Sequence, residues 1–243
     1  MSSAHDGSSP TGSGTNKLVR HKAVDRLYHW SMAASVLVLL FTAFAPILGW
    51  KFPWVAPHWI AGLVLTVVVI YHIVRASLFQ GLGSMWFTWS DAANAWRGAR
   101  QVLRMAGAPP DKPGKYPLLQ RLYHWGVAAA VLAVLASGLL MMVKIDTPFY
   151  DRNPYWLEAR TWAMIYVVHG LAALSILSLI IVHIYFAIRP EKLWITRSMI
   201  RGWITRGELL EHHDPEKWDP EAETGPGKPA VRGQPAADLS AKP

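Results

Sequence analysis

Four stretches of the chain contain no Asp, Glu, Lys or Arg: Leu27–Trp50, Ala56–Val74, Leu122–Val143 and Thr161–Ile188. A hydrocarbon core of ~30 Å takes about 20 apolar residues per helix, and each stretch reaches or nearly reaches that length. The pattern predicts membrane-spanning helices over about 24–49, 57–79, 119–143 and 160–188, an all-α integral-membrane four-helix bundle. Between and after them, Ser84–Met105 and Glu191–Glu211 mix Trp, Met and Leu with Arg at helical spacing. These segments read as amphipathic helices on the cytoplasmic membrane surface, or as docking surfaces for another subunit. The ends are different in kind. Residues 1–19 are rich in Ser and Gly, with no basic region leading into an apolar core, and residues 214–243 are rich in Pro, Gly, Ala and charge. Both read as disordered tails flanking a membrane domain over 20–213.

Composition changes this picture less than its averages suggest. The mean hydropathy is only +0.18 because two polar tails dilute the apolar runs. A formal charge of +8 and a pI near 9.8 raise the question of nucleic acid. The placement of the basic residues answers it. Arg20, Lys22 and Arg26 precede the first helix, and Arg75, Arg97, Arg100, Arg104, Lys112, Lys115 and Arg121 surround the second loop. Arg189, Lys192, Arg197, Arg201 and Arg206 follow the fourth helix, whereas the first loop holds only Lys51. That asymmetry puts both termini in the cytoplasm and leaves no nucleic-acid partner to explain. Trp50, Trp54 and Trp59 at the first hairpin, and Tyr150, Tyr155, Trp156 and Trp162 at the second, read as an aromatic belt at the opposite interface. The absence of cysteine excludes disulfides, thiolate metal sites and iron–sulfur ligation by this chain.

The chemistry lies in an internal repeat. Arg-Leu-Tyr-His-Trp occurs at Arg26–Trp30 and again at Arg121–Trp125, each time opening an apolar run. His58 and His72 are fourteen positions apart, and so are His169 and His183. Fourteen residues of α-helix rise about 21 Å and stop about 40° short of four whole turns. Each pair therefore shares one side of its helix near opposite leaflets, His58 and His169 at the outer depth, His72 and His183 at the inner. Imidazoles in hydrocarbon are costly and mark function. Two that face each other at one depth suit the clamping of a haem between helices, and the nearby Gly62, Gly170 and Ala172 leave room for a ring. His29 and His124 add two candidates at the inner depth. Geometry alone favours His72 with His183 there, as the mirror of the outer pair.

These residues resemble the four-helix, di-haem membrane cytochrome b family that includes the gamma subunit of respiratory formate dehydrogenase and the cytochrome b subunit of nickel–iron hydrogenases. The likeness runs over Arg20–Trp218. It rests on Arg-Leu-Tyr-His-Trp at the first helix, His58 with Gly62, Gly114-Lys115-Tyr116, His169 with His183, and His212-His213 with Trp218. The resemblance implies two haem b groups, the outer held by His58 and His169 and the inner by His29 and His183. It thus prefers His29 to His72, leaving His72 and His124 as secondary candidates. It also implies a quinone as substrate beside the inner haem, with Lys115 and Gln120 as candidate contacts, although Pro117 and Leu119 depart from the family pattern in that loop.

The expectation is a multi-pass cytochrome b subunit in a bacterial inner membrane, anchoring a formate dehydrogenase-like oxidoreductase. It relays electrons between a partner iron–sulfur or catalytic subunit and the quinone pool; any enzymatic step of its own is confined to the quinone site. Two rivals remain at this level: a stand-alone quinone-linked di-haem carrier, and a haem-free transporter or scaffold.

Overall fold

The computed structural model describes residues 17–79, 86, 89–103 and 112–220. Residues 1–16 and 221–243, the greater part of both expected tails, lie outside the described residues. In chain order the elements are strand β1 (Lys17–Val19), α1 (Ala23–Phe44), α2 (Val55–Phe79), α3 (Trp89–Val102), α4 (Leu118–Met141), α5 (Ala159–Ile188), α6 (Leu193–Arg201), β2 (Trp203–Thr205) and α7 (Arg206–His212). Short 3₁₀ turns extend α4 at Met142–Lys144 and link α5 to α6 at Pro190–Lys192.

Four of these helices, α1, α2, α4 and α5, are long and apolar enough to cross a membrane. Leu27, Val67, Leu78, Leu171 and Ile181 are among the many large apolar residues they expose, which is the surface a bilayer solvates. α1 packs on α2 and α4 on α5, forming two hairpins whose backbones approach each other mainly between α2 and α4. Leu65, 1% exposed, anchors the middle of α2.

The first helix ends at Phe44, five residues before the expected 49. Pro46 has no N–H to give to the carbonyl of Thr42, so the ladder loses a rung there and only one more such bond, Leu48 N–H to Phe44 O (3.1 Å), follows. The chain turns out through Gly49 at φ 91°. Trp50 N–H then bonds Ala45 O (3.0 Å) and Gly49 N–H bonds Pro46 O (3.0 Å), closing the helix with a left-handed cap. Trp162 departs from the expected belt: it is 3% exposed, donates from Nε1 to Pro154 O (3.0 Å) and lies under the Lys144 ammonium (4.9 Å).

The described fold runs past the expected domain limits on both sides, from Lys17 to Pro220. β1 pairs antiparallel with β2, with Leu18 opposite Ile204. Leu18, Ile204, Leu209 and Trp218 then form one buried cluster against Trp194. Residues 17–19 and 214–220 are therefore folded parts of the domain, a correction to tail boundaries at 19 and 214. Each contributes only one or two apolar side chains, and only their convergence from three distant segments makes a core. Arg20 is buried beside this cluster, with Nη1 2.9 Å from His213 Nε2 and its guanidinium over Trp194 and Trp218. His213 Nδ1 is 2.8 Å from Gly114 O, and Asp214 N–H bonds Pro113 O at 3.0 Å. The terminal segments thus clasp the chain leading into α4. Burial and the adjacent Arg20 charge push His213 down to about 4, so it is neutral and donates from Nδ1 to Gly114.

The stretch 191–211, expected as one amphipathic helix, is broken at Gly202 (φ 89°), whose carbonyl accepts from Arg20 N–H (2.9 Å) and His21 N–H (3.1 Å). Ion pairs tie the same end of the bundle together. Arg75 of α2 pairs with Asp25 of α1, and Arg121 of α4 pairs with Asp91 of α3 while donating to Trp86 O (2.8 Å).

Candidate functional site

The repeat read in the sequence is a repeat in space. The two Arg-Leu-Tyr-His-Trp motifs occupy the first two turns of α1 and α4, at the end of the bundle carrying the clasp. Their arginines diverge: Arg26 donates to His21 O (3.0 Å), whereas Arg121 reaches α3. Their histidines both turn inward.

Three imidazole pairs bridge the hairpins. His58 of α2 faces His169 of α5 with ring centroids 6.4 Å apart, and His29 of α1 faces His183 of α5 at 6.3 Å. His72 of α2 faces His124 of α4 at 6.1 Å. The expected outer pair, His58 with His169, is brought together. The purely geometric inner pair is not: His183 meets His29 and Tyr123, and His72 meets Tyr28 and His124. The cause is the 40° shortfall accumulated over fourteen residues. That rotation carries α5 from facing α2 at His169 to facing α1 at His183. It likewise carries α2 from facing α5 at His58 to facing α4 at His72.

The spacing of the pairs fits a metal held from both sides. An imidazole nitrogen sits about 2 Å from a bound metal and the ring centre lies about 1 Å beyond, so trans imidazoles on one metal have centroids about 6 Å apart. Both α5 pairs meet this condition, and their helices belong to different hairpins, as a macrocycle inserted between hairpins requires. His72 and His124 satisfy the same distance. They sit between α2 and α4, however, where the hairpins pack backbone against backbone, and the Tyr28 ring covers His72 at 4.9 Å. His72 Nδ1 is buried with no hydrogen-bond partner.

Further residues shape these pairs. Thr42 Oγ1 is 2.8 Å from His58 Nδ1, and Ser137 Oγ is 3.0 Å from His169 Nδ1. Gly138 lets the His169 ring approach, since a Cβ there would stand 3.2 Å from His169 Cε1. Tyr123 stacks on His183 (5.8 Å, 19°) and donates its hydroxyl to Leu179 O at 3.0 Å. The sequence does not single out Thr42, Ser137 or Gly138, and marks Tyr123 only as part of the repeated motif. A signal was present for Thr42 and Ser137, which are separated by the same offset as His29 and His124. Of the candidate quinone contacts, Lys115 lies over Tyr116 (5.6 Å) and Trp218 (5.8 Å), drawn towards the clasp. Gln120 is exposed in the first turn of α4.

Among known proteins, the family described as prokaryotic cytochrome b561 matches residues 20–202. The formate dehydrogenase cytochrome b556 subunit of Haemophilus influenzae is 23% identical over 218 residues, covering 83% of this chain and 82% of the relative. The formate dehydrogenase cytochrome b556(fdo) subunit of Escherichia coli K12 is 23% identical over 212 residues, covering 81% and 90% respectively. The matched span contains all four apolar helices and every histidine of the three pairs. The chain belongs to the prokaryotic cytochrome b561 family and is a multi-pass membrane cytochrome, for which the family implies haem b.

Proposed function

We propose that this chain holds two haem b groups and relays electrons between a partner oxidoreductase subunit and a quinone. The observation that carries the reading is the pair of α5-centred imidazole contacts, His58–His169 and His29–His183, equal in spacing to within 0.1 Å (6.4 and 6.3 Å). The ligand positions on α5 differ in depth by about 21 Å, so the two sites together span most of a ~30 Å hydrocarbon layer. When bound, each haem would supply a one-electron carrier, one held by His58 with His169 and the other by His29 with His183. The protein's part is to supply neutral imidazoles, hold them at fixed separation and keep water away from them.

His72 and His124 then serve as proton-carrying groups beside the inner pair, with Lys115 and Gln120 at the mouth of the quinone site. The basic residues clustered at the clasp end support an orientation with that end on the cytoplasmic side of a bacterial inner membrane, α3 and α6 being amphipathic helices on that surface. A sequence without cysteine offers no iron–sulfur relay of its own, which is in keeping with electron exchange through a partner. The similarity to formate dehydrogenase cytochrome subunits supports an iron–sulfur and catalytic partner of that kind.

The test is purification from native membranes in mild detergent, followed by reduced-minus-oxidised spectra with and without a quinol. The reading expects b-type bands, a co-purifying iron–sulfur protein and haem reduction by quinol. A haem-bearing chain that always purifies alone makes it a stand-alone carrier, and a chain without b-type bands removes the reading altogether.

A further inference from the structure

We infer that Thr42 and Ser137 are positioning residues for the outer imidazole pair, fixing the tautomer and ring orientation of His58 and His169 and holding the outer haem at a lower potential than it has without them. The inference rests on the two-haem reading above and extends it to the atoms behind the ligands.

Each hydroxyl has a single proton, and the acceptors around it decide where it goes. Thr42 Oγ1 lies 2.8 Å from Val38 O and 3.1 Å from Leu39 O; Ser137 Oγ lies 2.6 Å from Ala133 O and 3.2 Å from Val134 O. A carbonyl oxygen can only accept, so both hydroxyls donate backwards along their own helices. At 2.8 and 3.0 Å from the ring nitrogens they must then accept, with His58 and His169 donating from Nδ1–H. A neutral imidazole protonated at Nδ1 keeps its lone pair at Nε2, which leaves that nitrogen free to bind a metal between the hairpins.

Hydroxyls bonded to the carbonyl four residues back are ordinary in apolar helices. Ser31, Ser35, Thr66, Ser175 and Ser178 all make that contact without touching a histidine. Thr42 and Ser137, buried as Ser35 also is, differ from these in two ways: each has the second contact, and they occupy equivalent positions of the two repeats, on α1 for the α2 histidine and on α4 for the α5 histidine. The inner pair lacks the device: among the described residues, no hydroxyl reaches a ring nitrogen of His29 or His183. An imidazole that donates from Nδ1 is a stronger electron donor to its metal and favours the oxidised ion. The fold therefore treats its two sites unequally.

The experiment uses the full chain purified with its haems. Thr42→Val, Ser137→Ala and the double variant are compared with the conservative Thr42→Ser and Ser137→Thr. Redox titration and electron paramagnetic resonance of the oxidised protein are the readouts, and His58→Ala identifies the outer haem. Each hydroxyl-free variant is expected to raise the outer midpoint and move the outer low-spin signal, the double variant further still. The inner haem stays unchanged, and the conservative variants stay close to wild type. Loss of only the outer haem, rescued by the conservative variant, supports the inference equally. Two haems whose midpoints and signals ignore all these changes overturn it while leaving the two-haem reading intact. So does an effect confined to the haem lost in His29→Ala. A wild-type chain without haem at the outer pair overturns both.

Discussion

Replacing Arg20 with methionine keeps much of the side-chain volume but removes the charge at the centre of the clasp. Arg20 is 5% exposed, donates to His213 Nε2 at 2.9 Å, and lies 5.3 and 5.1 Å from the ring centres of Trp194 and Trp218. A hydrogen bond from a charged donor contributes about 1.5–3 kcal/mol, and its loss leaves a buried ring nitrogen without a donor. Cation–π contact adds about 0.5–2 kcal/mol at such distances, offset in part because a buried guanidinium no longer has to be desolvated. The net expectation is a loss of about 2–4 kcal/mol, or a 30- to 700-fold rise in local opening by the rule of about 1.4 kcal/mol per tenfold. Hydrogen exchange in detergent reads this directly: amides of Lys17–Val19 and Trp203–Thr205 should accelerate by that factor, while the middle of α5 stays protected. Adding His213→Leu should recover part of the loss, since the orphaned nitrogen disappears with it. Unchanged exchange in β1 and β2, or a double variant worse than the sum of the singles, refutes the assignment of Arg20 as the centre of the clasp.

Three further outcomes follow from the same geometry. Burial holds His213 at about 4 and His21 at about 3, both below the ordinary 6.5, so the unfolded clasp takes up protons first as pH falls. Its stability should be fully present above pH 6.5 and decline towards pH 4 by up to about 1.4 kcal/mol per unit for each group; clasp protection factors, corrected for the intrinsic pH dependence of amide exchange, that are identical at pH 7 and pH 5 contradict this. Gly202→Ala forces a side chain into φ 89° and into the Arg26 guanidinium and His21 carbonyl, with a conformational cost of about 1–2 kcal/mol before the crowding. A measurable fall in the melting temperature is expected, and an unchanged one removes the strain argument. Gly138→Ala places a Cβ 3.2 Å from His169 Cε1 and should disturb the outer haem spectrum, whereas Gly98→Ala on α3, whose Cβ meets nothing within 4 Å, should not. Equal effects of the two changes would mean that ring position is not what Gly138 protects.

Much of this molecule is legible from residue type because hydrocarbon is an exacting solvent. A charge-free run long enough to span it has little alternative to a helix, and α2, α4 and α5 begin and end within two residues of expectation. α1 stops early because Pro46 acts on the helix through a missing N–H, not through polarity. The fourteen-residue spacing places the histidines at two depths and identifies His58 with His169. It fails for His72 with His183 because a mirror image ignores the 40° that a helix turns between them, and the family motif around His29 points to the partner that rotation selects. The clasp is legible only as family motif residues, Gly114, His213 and Trp218, without their contacts. Leu18, Arg20, Ile204, His213 and Trp218 are single residues in polar surroundings, and only the folded chain brings them within contact. The hydroxyls of Thr42 and Ser137 fall between these cases, since the repeat offset marks them but similar hydroxyls without that role occur along the same helices.

The central claim is that two haems sit on α5-centred histidine pairs, and haem counting against protein concentration tests it most directly. Wild type should carry two haems per chain, His29→Ala and His58→Ala one each, their combination none, and His72→Ala two. A wild-type ratio of one or zero, or a haem lost with His72 while His29→Ala keeps both, would contradict the account.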